Sequence, residues 1–152
     1  MRNTGFLLLF SGLYELKKEE YFSRYGRVNE EKLFHATGYL NVASILQENF
    51  DWRRCNRTKF GQGISFSSDA YYANKHCNKN NPDDRAMICA KVLVSEECEG
   101  FENLLLPLSC DTSTGNNDRV KVKFYDNEFY PAYVARYTNP NTVNKCRRFH
   151  RK

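Results

Sequence analysis

Residues 32–77 read KLFHATGYLNVASILQENFDWRRCNRTKFGQGISFSSDAYYANKHC, with a histidine, His35, inside one strand-like apolar run and a Gly-Gln-Gly turn leading into a second. EKLFHAT reads as a strand. In YLNVASILQENF, Val42, Ile45, Leu46 and Phe50 recur at three- to four-residue spacing, which predicts a helix with one buried face. A polar, positively charged loop, Arg53 to Lys59, follows. Gly61 and Gly63 then permit the positive φ or close backbone approach of a tight turn into the strand GISF. SSDAYYANKHC opens with a Ser/Asp start signal and predicts a short helix.

Outward from this stretch the alternation of elements continues. GLYELKKEEYFSRYG, with Leu13, Leu16 and Tyr21 near helical spacing between Gly12 and Gly26, predicts a short amphipathic helix. AMICAKVLV is apolar at nearly every position, as expected of a strand covered on both faces at the centre of a sheet. In RVKVKFY, Val120, Val122 and Phe124 alternate with Arg119, Lys121 and Lys123, the period-two pattern of a half-solvated strand. YDNEFYPAYVARY turns at Asp126-Asn127 and continues as another strand. Strands outnumber helices, and two short helices fall between the early strands, so the expectation is an α+β domain around an antiparallel-rich sheet.

Composition bounds what such a domain can be. The 152 residues suit one globular unit, and 41% hydrophobic residues, with ten Tyr and eleven Phe, supply an aromatic-rich core. The net charge of +5 sits in Lys145, Arg147, Arg148, Arg151 and Lys152; without them 18 basic residues face 18 acidic ones, so the expected body is neutral and nucleic-acid binding would rest on the tail alone. The six cysteines, at 55, 77, 89, 98, 110 and 146, form no CxxC pair. That removes the common zinc-finger and redox spacings and leaves disulfides possible but unsupported. Neither Cys146 with His150 nor His76 with Cys77 finds enough further ligands for a metal site, so no metal is expected. Trp52 is expected to pack beneath its loop, and the Tyr-rich AYYANKH to be core and rim. The five-residue apolar run at Phe6 to Phe10 is too short for a signal-peptide core or a membrane span. The expectation is an intracellular protein, cytoplasmic or nuclear, with buried thiols, no membrane and a monomeric state.

Taken alone, His35 resembles any hydrogen-bonded strand histidine. Taken in order, LFHAT, NFDWRRC, FGQGISF and YDNEFYPAYVARY resemble the catalytic domain of the poly(ADP-ribose) polymerase family, the diphtheria-toxin-like ADP-ribosyltransferases. The likeness is nearest to the mono-ADP-ribosylating branch, whose members carry similar LFHGT, FDWR-C, YGKGxYF and YPEYxIxY segments. It runs from about Gly12 to Tyr137. Because the family's domain has further strand and helix before this point, the chain reads as N-terminally shortened, with a catalytic domain over 1–138 and a basic tail over 139–152.

The resemblance implies split, bent β-sheets holding NAD in a crevice, and a reaction in which a protein side chain attacks the anomeric carbon of the nicotinamide ribose and expels nicotinamide. In that picture His35 donates a hydrogen bond to a ribose hydroxyl, the backbone of Ala36 pairs with the nicotinamide carboxamide, and Thr37 matches directly. Gly63, Ser65, Phe66, Tyr72 and Ala73 complete the implied NAD-binding set, and Arg53 to Lys59 corresponds to the loop over the donor. His35, Ser65 and Val134 occupy the three catalytic positions.

Two of those three depart from the pattern. Ser65 replaces the tyrosine that stacks on nicotinamide, a contact worth about 0.5–1.5 kcal/mol beyond its area. Ala73 replaces a serine that bonds the carboxamide, worth roughly 0.5–1.5 kcal/mol, although Tyr71, Tyr72 or His76 could partly refill the site. Val134, with Tyr133 as the one-residue alternative, replaces the glutamate of the polymerising members, and Glu128 lies too far along the chain to substitute. The implied activity is mono-transfer to a protein acceptor, with NAD as co-substrate and the acceptor's own carboxylate assisting. The alternative is a catalytically inactive member acting as a binding or scaffold module.

Overall fold

The computed structural model describes residues 4–77, 83–105 and 109–138. The basic tail, with Cys146 and His150, lies outside them. The chain order is α1 (Thr4–Tyr25), β1 (Glu30–Gly38), α2 (Val42–Glu48), β2 (Ile64–Ser67), α3 (Ala70–Lys75), β3 (Asp84–Leu93), β4 (Glu97–Glu99), β5 (Thr112–Gly115), β6 (Val120–Lys123) and β7 (Phe129–Thr138). The strands form one seven-stranded sheet in the order β4-β5-β6-β2-β1-β3-β7, antiparallel except for the parallel pair β4 and β5. This is an α+β architecture.

The sheet is nearly two sheets. β1 pairs with β3 from Glu30↔Leu93 to Gly38↔Arg85, and β3 with β7 over a comparable length. Between β1 and β2 the register holds one pair, Phe34↔Ser67. The halves β4-β5-β6-β2 and β1-β3-β7 therefore join through a single bridge, in keeping with the expected split.

Under this seam Leu33, Phe50, Ile64, Phe66, Ile88 and Phe129 form the main core. Phe50, delivered just past the end of α2, meets Phe66 and Phe129 edge-on at 5.3 and 5.5 Å between ring centres, the orientation the ring quadrupoles favour. Each such side chain stabilises the fold by about 1.5–3 kcal/mol through burial. Trp52 packs against this cluster beneath its loop.

Three expectations are corrected, and two strands are added. α1 begins at Thr4 rather than Gly12, because the apolar run at 6–10 holds no breaker and a formed helix propagates cheaply; an internal Gly costs only about 1 kcal/mol. β3 is not central but second from the β7 edge, and only one of its faces is fully sealed: Ala86, Ile88, Ala90 and Val92 are buried while Met87, Cys89 and Lys91 are half-exposed. β6 is not half-solvated. All four of its residues are buried, because it lies between β5 and β2, with Glu31 and Glu97 against Lys121 and with Tyr21 of α1 and Glu128 against Lys123. Lys123 bonds Asp111 Oδ2 at 2.7 Å, Thr112 Oγ1 at 2.8 Å and the Tyr21 hydroxyl at 3.0 Å, with Glu128 3.6 Å away. Lastly, β4 and β5 have no counterpart in the sequence reading, since ECE and TSTG carry no apolar alternation. A disulfide between Cys98 and Cys110 stands beside them.

Candidate functional site

A cavity of about 330 Å³ opens where pairing between β1 and β2 stops. β1 contributes Phe34, His35, Ala36 and Thr37; the turn and β2 contribute Gly63, Ser65, Phe66 and Ser67; α3 contributes Tyr72 and Ala73, and His76 follows at its C-cap. Thus His35, Ala36, Thr37, Gly63, Ser65, Phe66, Tyr72 and Ala73, expected together from sequence, do line one cavity.

The turn before β2 explains why its residues lie so close. Gly63 backs onto β6, where a Cβ would meet the Lys123 carbonyl oxygen at 2.2 Å, so only glycine lets β2 enter at this depth.

His35 is held from three sides. Its Nδ1 lies 2.9 Å from the Ser65 carbonyl oxygen, and its ring meets Phe50 and Phe66 edge-on at 5.2 and 5.9 Å. A carbonyl can only accept, so Nδ1 carries the hydrogen. Burial disfavours the cation and holds the ring below the usual histidine range, with the Ser65 bond opposing. The ring is therefore neutral near pH 7, and its Nε2 is an acceptor.

Thr37 is buried and accepts from Asn41 Nδ2 at 2.9 Å, tying the end of β1 to the turn that starts α2. On the opposite wall Asp69 caps α3 by accepting from the Tyr71 and Tyr72 amides at 2.8 and 3.3 Å. That cap sets Tyr72 against His76, with ring centres 4.1 Å apart and planes tilted by 31°. Burial, aided by Lys75, Arg57 and Lys59, lowers the His76 pKa. Ser65 presents a short side chain where the family pattern has a ring, and the stacked Tyr72–His76 pair is the aromatic surface that the α3 wall supplies.

The loop above the cavity carries Arg54, Arg57 and Lys59, and the described lining residues include no Asp or Glu. Arg57 is pinned to the end of α3 through the carbonyls of His76 and Cys77. Burial pushes the Cys55 thiol up to about 11, with Asp51 adding to it, so this cysteine is an unreactive wall residue. The positive lining was only half legible in sequence: the loop's charge was visible, but not the lack of acids opposite.

Val134 stands apart. It pairs with Ile88, which pairs with His35, so the three share one face of the sheet. Two strand spacings put Val134 about 10 Å from His35, 37% exposed on edge strand β7 and outside the cavity lining. Glu128 is far from this row, buried beside Tyr21 and Lys123. Among the described residues no three His, Cys, Asp or Glu side chains gather into a metal site, and no helix is long and apolar enough to cross a membrane.

Comparison with known proteins agrees with this geometry. The family described as "Poly(ADP-ribose) polymerase catalytic domain" matches residues 11–121. The chain is 35% identical to "Protein mono-ADP-ribosyltransferase PARP12" of Homo sapiens and 32% identical to that of Mus musculus, the matches covering 73% of this chain and 17% of each relative. It thus spans about a sixth of the length of these curated relatives.

Proposed function

Because the chain belongs to the poly(ADP-ribose) polymerase catalytic-domain family, we propose that its cavity binds NAD and that it transfers a single ADP-ribose to a protein side chain, releasing nicotinamide. The observation that carries this reading is the cavity's charge: Arg57 and Lys59 line one wall beside Arg54, which is paired with Glu48 and Asp51, and no carboxylate is among the described lining residues, which suits a dinucleotide diphosphate.

In this reading Nε2 of His35 accepts from a ribose hydroxyl, with the Ser65 carbonyl fixing the tautomer and the ring edge. Ala36 and Thr37 lie where β1 has lost its β2 partner, which leaves backbone to meet the carboxamide. Tyr72 and His76 supply the aromatic surface, and Arg57 holds the loop that covers the donor. Acceleration comes from ordering the ribose and leaving group more than from a strong base. The acceptor's oxygen forms the new bond to the anomeric carbon as the bond to nicotinamide breaks. Val134 offers no carboxylate to activate a ribose hydroxyl, so the chemistry stops at one unit. We place this activity in the cytoplasm or nucleus.

A second reading is favoured by Ser65 and Ala73, which remove a ring and a hydroxyl from the nicotinamide wall: the same cavity serves as an inactive binding module. Incubation with labelled NAD separates the two. Label transferred to the protein or an added acceptor supports transfer; NAD binding in calorimetry without label supports the module; neither label nor binding overturns both.

A further inference from the structure

We propose that the Cys98–Cys110 disulfide is a redox-sensitive clamp that holds the loop over the cavity; its effect on ligand rests on the NAD site proposed above. Cys98 lies in β4 and Cys110 just before β5, so the bond closes the connection between them at its base.

The described part of that connection, Gly100 to Leu105, is stitched to the end of the covering loop and the turn beyond it. Asn103 donates its amide to the Thr58 carbonyl at 2.9 Å, and the Thr58 hydroxyl donates to Asn103 Oδ1 at 2.6 Å. Gln62 donates its amide to the Leu104 carbonyl at 2.8 Å. A Cβ on Gly100 would lie 2.3 Å from the Phe60 carbonyl oxygen, so the two backbones touch, and Ser113 of β5 donates to that same oxygen at 2.5 Å. Lys59 and Phe60 line the cavity. Holding the base of the 98–110 connection therefore holds Thr58 to Gln62, and with them one wall of the site.

Besides the disulfide, the base is held by non-covalent ties: β4 pairs with β5 over Glu97↔Thr112, Cys98↔Ser113 and Glu99↔Thr114, the Asp111 carboxylate accepts from the Ser95 and Glu96 amides, and the Asp111 and Thr112 amides donate to the Glu96 carbonyl, with β4 at the sheet edge. Opening the disulfide returns the connection to the larger set of conformations that closure removes. Cys98 is half-exposed and Cys110 buried, so a reductant meets the Cys98 sulfur first. The step is thiol–disulfide exchange: a thiolate of a small dithiol attacks that sulfur, the Cys98–Cys110 bond breaks to a mixed disulfide, and the dithiol's second thiolate displaces Cys98. The protein gains two electrons and two protons and ends with two thiols, while the dithiol becomes its cyclic disulfide. Disulfides in reducing compartments are mostly transient and sensory, which is the use such an edge position suits.

The test compares oxidised protein, protein reduced with dithiothreitol, and the Cys98→Ser/Cys110→Ser variant. Hydrogen exchange is read at the Asn103, Gln62 and Gly100 amides, with β1–β3 amides as the internal standard, and NAD binding is read by calorimetry. The expected result is about tenfold or faster exchange at those three amides in both reduced and variant protein, NAD binding weakened by about tenfold, and no response of the variant to dithiothreitol. Unchanged exchange overturns the clamp. So does faster exchange with equal NAD binding in all forms, or failure to recover a Cys98–Cys110 crosslinked peptide after oxidation. Faster exchange with no NAD binding in any form overturns the NAD site and leaves the clamp's mechanics standing.

Discussion

The His35 Nδ1 hydrogen is directed at the Ser65 carbonyl oxygen 2.9 Å away, across the seam that β1 and β2 close with a single backbone pair, Phe34↔Ser67. One side-chain bond thus spans the opening that forms the cavity, and it commits the free ring nitrogen to accepting.

That commitment makes His35→Ala and His35→Gln distinguishable. Alanine loses both the bridge and the acceptor, and NAD affinity should fall about tenfold, in line with roughly 1–1.5 kcal/mol for a lost hydrogen bond. Glutamine carries an acceptor oxygen and should recover part of it. Calorimetric titration of both variants checks this; equal NAD affinity in wild type and His35→Ala would remove His35 from the site.

Stability should fall on the acid side because of the same ring. Its folded-state pKa lies below the ordinary 6.5, so between the two values the unfolded chain binds the proton first. The stabilisation is fully present above about 6.5 and is lost as pH falls through the lower folded value. Urea midpoints from pH 8 to pH 5 should drop more steeply for wild type than for His35→Gln. Identical slopes would mean that the ring titrates as it does in the unfolded chain.

Ser65→Tyr restores a ring beside the Tyr72–His76 pair and should bring measurable nicotinamide binding, a gain of roughly 0.5–1.5 kcal/mol from stacking. Nicotinamide-induced thermal shift reads it directly. No gain would show that the missing hydroxyl at Ala73, rather than the missing ring, limits the site.

Lys123 is the cation between two buried carboxylates. Burial opposes charge on Asp111, but Lys123 and the bonds from the Glu96 amide and the Thr112 hydroxyl outweigh it and hold that carboxyl below its usual range; burial holds Glu128 above its own. Lys123→Met should cost about 3–5 kcal/mol in urea unfolding, since it strands buried charge. Adding Asp111→Asn should return part of the loss. A single variant within about 1 kcal/mol of wild type would show that water reaches the cluster.

Gly63→Ala should destabilise by about 1–3 kcal/mol through overpacking, because its Cβ would meet the Lys123 carbonyl at 2.2 Å. Far-UV and urea melts read the loss, and a neutral result would mean that β2 can shift away from β6 at no cost.

The strands around His35 and Ser65 were legible because LFHAT and GISF are apolar runs bounded by turn residues, and α3 because Asp69 begins it as a cap. The family likeness was legible in the same local segments. β4 and β5 were not, since Glu97–Glu99 and Thr112–Gly115 become strands only through pairing with each other and, for β5, with β6.

The amino-acid sequence by itself determined the local elements, the glycine turn and the cap, because propensity, spacing and turn chemistry act over a few residues; the members of the cavity were named only through the resemblance of those segments to a family. Tertiary structure alone decided three things: the His35 tautomer, which depends on a carbonyl thirty residues away; the burial of Lys123, whose partners come from α1, from Asp111–Thr112 and from the turn before β7; and the distance of Val134 from the cavity, which follows from strand order. Each rests on which strands become neighbours. Long-range pairing sets that, and no window of sequence contains it.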